Sequence, residues 1–145
     1  MKILLYIFII ALPLMLAACS SDDDTDSGYI TVRESEIISK YYTGQDHYIY
    51  FSGVQLYHND ETGVVQNCVC DAECPNKEGH ISESSISVTN SETRNIPVIR
   101  CRECKAEFDA YTGGALNDNA KGYRIKVYNY MYDKENKRYL LWQRK

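Results

Sequence analysis

From position 29 onward, apolar and polar residues alternate with a period close to two over most of the chain. Tyr29-Ile-Thr-Val-Arg33 and Tyr48-Ile-Tyr-Phe51 are short runs of β-branched and aromatic residues, a composition that suits a pleated, half-buried surface. Val54 to His58 alternates, Asn59-Asp-Glu-Thr-Gly63 supplies turn chemistry, and Val64-Val-Gln-Asn67 starts a returning strand, which predicts a hairpin. Ile81 to Thr89 and Ile96 to Arg100 predict a second hairpin around Asn90-Ser-Glu-Thr-Arg-Asn95. Between Tyr123 and Tyr132, alternation puts Tyr123, Ile125, Val127 and Met131 on one face and Arg124, Lys126, Tyr128, Tyr130 and Tyr132 on the other. Asp133 to Lys137 turns the chain, and Arg138 to Trp142 comes back. Only Arg33 to Lys40 offers a helical stripe, and a short one. The pattern predicts an all-β domain.

The start of the chain departs from this pattern. Lys2 precedes an apolar run, Ile3 to Leu16, broken only at Pro13. The run is too short to span a bilayer comfortably and ends in small residues, so residues 1–18 read as a signal peptide. Its end, Leu16-Ala17-Ala18-Cys19, resembles the bacterial lipobox, whose cysteine is lipidated and becomes the new N-terminus. Residues 19–28 are polar and acidic with no apolar side chain after Cys19, which makes them a solvated tether. An acidic run in this place resembles the export signal of surface lipoproteins in Bacteroidetes-type bacteria. The expected address is therefore the bacterial outer membrane or cell envelope, lipid-anchored through Cys19, and exposed at the cell surface if the acidic run is that signal rather than a plain spacer.

Charge narrows the function further. The chain carries 16 Lys and Arg against 20 Asp and Glu, and four of the carboxylates are Asp22, Asp23, Asp24 and Asp26 in the tether. Residues 29–145 are thus nearly balanced, with no basic stripe for nucleic acid. Their number fits one domain, small enough for a metal or disulfide staple to matter. The 13 tyrosines suit half-buried strands, with an aromatic ligand platform as the alternative.

The candidate chemistry is sulfur. Cys68-Val-Cys70-Asp-Ala-Glu-Cys74 and Cys101-Arg-Glu-Cys104 hold five of the six cysteines. Thiolates two to four residues apart can grip one ion from a single turn, and two such turns supply four ligands. Cys70 and Cys74 have a suitable spacing; Cys68 shares a strand face with Cys70 and can substitute for it. The expected ligands are therefore Cys70, Cys74, Cys101 and Cys104, with Cys68 as the alternative. Zinc and iron–sulfur both suit four thiolates. Two disulfides with a free thiol also fit the odd count outside the lipobox, and then no cofactor is held. A catalytic dithiol at Cys101 and Cys104 is a third reading. His80, six residues after Cys74, is a further candidate ligand, whereas His47 and His58 read as surface residues. Lys77, Arg100, Arg102 and Lys105 flank the sulfurs as cations that favour thiolates or as ordinary solvated charges. No Ser-His-Asp order, phosphate loop or pair of catalytic carboxylates stands out, so an enzyme in its own right is not expected.

The order Cys74-Pro75-Asn76, Cys101-Arg-Glu-Cys104, Phe108-Asp109, Tyr111-Thr112-Gly113-Gly114 and Leu116, followed by two strands, resembles the Rieske ferredoxin family over roughly residues 47–142. The resemblance implies an antiparallel three-sheet β sandwich with a protruding cluster-binding subdomain, here about residues 66–114. It also implies a 2Fe–2S centre, electron transfer and a redox partner. Two departures count against the usual ligation. Asn76 and Cys104 stand where the family has its two ligating histidines, and a neutral amide is a poor ligand for a soft metal. The chain is closer to cysteine-rich, Rieske-like lipoproteins, although Lys77 stands where their additional cysteine falls. The expected function is a Rieske-like, lipid-anchored electron-transfer or metal-binding protein with a 2Fe–2S or zinc centre. The alternative is a surface interaction module whose sulfurs are structural, as zinc ligands or disulfides.

Overall fold

Strand pairing turns the alternation into two antiparallel sheets. The computed structural model describes residues 28–76 and 85–145; strand accounts for 52% of it and helix for 5%, so the all-β class stands. Nine strands run β1 (Ile30–Arg33), β2 (Tyr41–Gly44), β3 (His47–His58), β4 (Val65–Asp71), β5 (Ile86–Ser91), β6 (Ile96–Cys101), β7 (Glu107–Asp109), β8 (Val127–Asp133) and β9 (Arg138–Gln143). Six form one sheet in the order β1-β9-β8-β4-β3-β2, and three form a second in the order β5-β6-β7.

The larger sheet curls into a near-barrel. Its edge strands β1 and β2 are consecutive in the chain and joined through a 3-10 turn at Glu34–Glu36. Folded into that turn and a second one closed by the Ile38–Tyr41 bridge, the link is too compact to stretch over the roughly 24 Å between the two edges of a flat six-stranded sheet. Every strand sends side chains inward: Val32, Tyr42, Ile49, Val69, Tyr128 and Leu141 make one buried cluster, with Phe51, Tyr130 and Tyr139 packed on it. Tyr139 meets Phe51, Tyr130 and Tyr132 at ring-centroid distances of 5.2, 5.7 and 4.8 Å, which places many of the tyrosines in structural roles.

The opposite face of β3, β4 and β8 packs against the small sheet. Leu56, Cys68, Cys70 and Val127 meet Ile86, Val88, Ile99, Cys101 and Phe108 in a second buried cluster. The small sheet is an insertion. The chain leaves the large sheet after β4, builds β5 to β7, and returns at β8 to pair directly with β4 through Val69↔Tyr128 and Cys70↔Val127. Both faces of β4 are therefore covered, and Cys68, Val69 and Cys70 are all buried.

Both predicted hairpins form, as β3–β4 and β5–β6. The two short runs around Tyr48 and Val54 are one strand, interrupted by register shifts between Phe51 and Tyr57. Gly53 there adopts a φ of +73°, as a bulge requires. Three expectations need correction. The described residues form two sheets, not three. Arg33 to Lys40 contains only the single 3-10 turn. The strand expected from Tyr123 begins at Val127, although Ile125 already packs in the inter-sheet core. Strands β2 and β7 had no distinct signal, being only four and three residues long. Ile81 to Ser84, read as the start of a strand, lie outside the described residues, as do the signal peptide and Cys19.

A candidate three-thiol metal centre

Two turns at one end of the small sheet carry the sulfurs. Cys74 follows β4 in the turn that leaves the large sheet. Cys101 is the last residue of β6, and Cys104 lies in the turn to β7. This second turn is tightly tied: Lys105 donates its backbone N–H to the Cys101 carbonyl at 3.0 Å, and Cys101 N–H donates to the Ala106 carbonyl at 2.9 Å. Closure puts Lys105 in the left-handed region, φ +62°, uncommon for a residue with a Cβ. Asn117 braces it from outside. Its Nδ2 donates to the Lys105 carbonyl at 2.8 Å, and its Oδ1 accepts from Glu107 N–H at 3.1 Å.

The sulfur atoms of Cys74, Cys101 and Cys104 all lie within 4.8 Å of one another, and Cys74 Sγ is 3.8 Å from Cys104 Sγ. Thiolates on one tetrahedral ion with bonds of about 2.3 Å are separated by roughly 3.8 Å. A disulfide needs about 2.05 Å, and none of the five described cysteines forms one. The group could hold a metal ion. Cys74 and Cys101 are buried and Cys104 is partly exposed, so the group reaches solvent on the Cys104 side. A cavity of about 390 Å³, lined among others by His47, Glu73, Arg124 and Lys126, opens against Cys74.

The thiols differ sharply in acidity. Burial pushes Cys74 up to about 12, against the pull of a hydrogen bond from Asn76 N–H. Burial also raises Cys101, but the backbone N–H groups of Cys104 and Glu103 and the Ser85 hydroxyl stabilise its thiolate and leave it lowered. Ser85 Oγ lies 3.6 Å from Cys101 Sγ. The leading causes of this shift are thus backbone and hydroxyl donors rather than the flanking cations. Lys105 Nζ turns to the Arg102 carbonyl, and Arg100 reaches Glu107 at 3.7 Å. N–H donors aimed at sulfur favour the deprotonated form, the form that ligates metals. A metal must expel the proton from Cys74, so binding weakens as pH falls.

Cys70, expected as the fourth ligand, is not in this group. It points from β4 into the inter-sheet core, where a hydrogen bond with Cys68 and then burial push its thiol well up. Cys68 is equally buried. Their shared face, expected from their spacing, is real, but the two lie in the strand itself rather than in the turn that presents Cys74. Of the other candidates, His58 sits beside Asp60, 3.3 Å away, and His47 lines the cavity against Cys74. Lys77 and His80 lie outside the described residues. The sequence reading missed Ser85 and Asn117, whose roles depend on contacts between segments 16 and 12 residues apart in the chain.

The Phe-Asp and Thr-Gly residues that carried the family resemblance have structural work beside this centre. Phe108 is fully buried under the small sheet. Asp109 Oδ1 accepts from the Tyr111 and Thr112 N–H groups at 2.7 and 3.1 Å. Gly113, at φ +74°, lets the chain pass the Ile125 carbonyl so closely that a Cβ would lie 2.0 Å from its oxygen. No protein-family model, curated protein or solved structure matches the chain.

Proposed function

We propose that this is a metal-binding, Rieske-like domain that holds one centre through Cys74, Cys101 and Cys104 and is tethered to the bacterial envelope by a lipid on Cys19. One observation carries the metal reading: three thiols converge within 4.8 Å, two of them receiving backbone N–H hydrogen bonds. Three sulfurs so close suit a single ion better than a 2Fe–2S cluster, in which the four thiolates are divided two and two between the irons. Zinc is the preferred occupant, with a structural role: it would tie the insertion after β4 to the turn after β6. The 2Fe–2S reading rests on the order of the two cysteine turns and the Phe-Asp and Thr-Gly residues. It assigns the domain to electron transfer with a redox partner.

Aerobically and anaerobically purified protein, assayed for metal and scanned in the visible, tests this proposal. Zinc near one equivalent in a colourless sample supports the single-ion centre. Iron with visible absorption supports the cluster. Metal-free protein with pairwise-oxidised cysteines overturns both and leaves the disulfide-stapled surface module.

The anchor rests on the Leu16-Ala17-Ala18-Cys19 ending and the acidic run after it. Cys19→Ala should move the protein out of the membrane fraction or leave it unprocessed. Unchanged mass and unchanged partition in that variant would remove the lipid from the account. Among the described residues no helix is long and apolar enough to cross a membrane.

A further inference from the structure

The small sheet covers only part of the outer face of the large one. Strand register shows what remains. Tyr128, Tyr130, Tyr139 and Leu141 point into the barrel, so Asn129, Met131, Leu140 and Trp142 point outward. Asn129 pairs with Trp142, and Tyr57 with Gln66; paired residues share a face. The uncovered strip therefore runs across β3, β4, β8 and β9. It ends at Tyr29, whose ring meets Trp142 edge-on at 5.7 Å. Tyr57, Tyr29 and Trp142 are 52%, 46% and 36% exposed. Three aromatic rings left this open on one sheet face, when Tyr42, Tyr128, Tyr130 and Tyr139 are packed in the barrel, call for an explanation.

In the middle of the strip lies a cavity of about 290 Å³, lined by Leu56, Tyr57, Gln66, Tyr111, Asn129 and Arg144. Its polar groups are held in place. Tyr111 hydroxyl donates to the Leu56 carbonyl at 2.7 Å. Arg144 donates to Asn129 Oδ1 at 2.8 Å and to the Tyr111 carbonyl at 3.0 Å. Gln66 donates its Nε2 to the Tyr130 carbonyl at 3.0 Å, which fixes its amide and turns Oε1 into a buried acceptor with no hydrogen-bond partner among the described residues. Leaving such an acceptor unpaired costs free energy.

We propose that this strip binds an oligosaccharide. Flat rings suit the C–H faces of pyranoses, and planar amide and guanidinium groups suit their hydroxyls. Adjacent strands are about 4.8 Å apart, so the row from Tyr57 to Tyr29 across β3, β4, β8, β9 and β1 extends over roughly 19 Å, the length of several sugar units rather than one. Arg144 has no carboxylate partner among the described residues, and it favours a chain bearing uronate. The cavity shares no lining residue with the thiol centre.

Trp142 is the only tryptophan in the chain and lies on the strip, so its fluorescence reports occupancy directly. The full-length protein should be screened on an array of neutral and uronate-containing glycans. Positive glycans should then be titrated as free oligosaccharides of two to six units, following tryptophan emission. The expected result is a saturable emission change, with affinity rising with chain length and uronate chains bound more tightly than neutral ones. Tyr57→Ala and Trp142→Ala, checked for an unchanged melting temperature, should each weaken binding at least tenfold, the second read by calorimetry. Because Trp142 also packs on Tyr29, Tyr57→Ala decides if Trp142→Ala folds poorly. Absence of binding across the array, or binding unaffected by Tyr57→Ala, overturns the proposal.

Discussion

Cys101→Ser is expected to abolish metal retention through purification and to lower the melting temperature of the metal-loaded protein. Cys101 is the sulfur with the most support, from two backbone N–H groups and Ser85, and it belongs to the turn that presents Cys104. Replacing a supporting partner of a metal ligand costs about 10–100-fold in affinity, so replacing a ligand itself should cost at least about 100-fold. Binding free energy would here also be folding free energy, because an ion on these thiols would join the turn after β4 to the turn after β6. Cys74→Ser and Cys104→Ser should behave alike. Cys68→Ala and Cys70→Ala provide the contrast. Both thiols lie in the inter-sheet core, so these variants should lose packing but keep stoichiometric metal. Metal content measured across the five variants, beside their melting curves, separates the two groups. If Cys70→Ala loses metal as completely as Cys101→Ser, then Cys70 joins the centre when the ion binds, and the three-thiol assignment is wrong.

Gly113→Ala should cost about 3–5 kcal/mol, enough to lower the melting temperature by roughly 10–20 °C. Two effects act together. Gly113 has a φ of +74°, and an added Cβ would lie 2.0 Å from the Ile125 carbonyl oxygen. That carbonyl is backbone and cannot rotate aside, because Ile125 N–H itself donates to the Gly113 carbonyl at 3.1 Å. Gly122 isolates the first effect. It has a φ of +83° but nothing within 4 Å of a would-be Cβ, so Gly122→Ala should cost only about 1–2 kcal/mol. Equal losses in the two variants, measured by denaturant unfolding, would mean that the close approach to Ile125 contributes nothing.

Much of this architecture is legible in the sequence because one face of each strand is buried. Asn59 to Gly63 and Asn90 to Asn95 announce their hairpins through turn residues, and the alternation along β8 separates the face of Val127 from that of Tyr128. Legibility fails where both faces are covered or the element is very short. In β4, Cys68, Val69 and Cys70 are all buried, so alternation there is silent about which layer each thiol enters. Strand β7 is defined by its partner β6 rather than by any periodicity of its own. For the centre, spacing identified both cysteine turns and brought Cys74, Cys101 and Cys104 into one group. Cys70 was assigned from the same spacing rule. That rule assumes that both residues lie in one turn, whereas Cys70 is still paired within the sheet opposite Tyr50 and Val127. Ser85 and Asn117 act through tertiary contacts, which no local pattern encodes.

The central claim, one metal centre on three converging thiolates, is tested most directly by X-ray absorption at the edge of the metal that co-purifies with the wild-type protein. The account predicts a single ion, zinc, with sulfur neighbours at about 2.3 Å, three of which are assigned to Cys74, Cys101 and Cys104 by the loss of signal in their serine variants. A second metal in the outer shell would replace the single ion with a cluster. A metal-free protein in which four of the five thiols outside the lipobox are paired as two disulfides would contradict the claim outright.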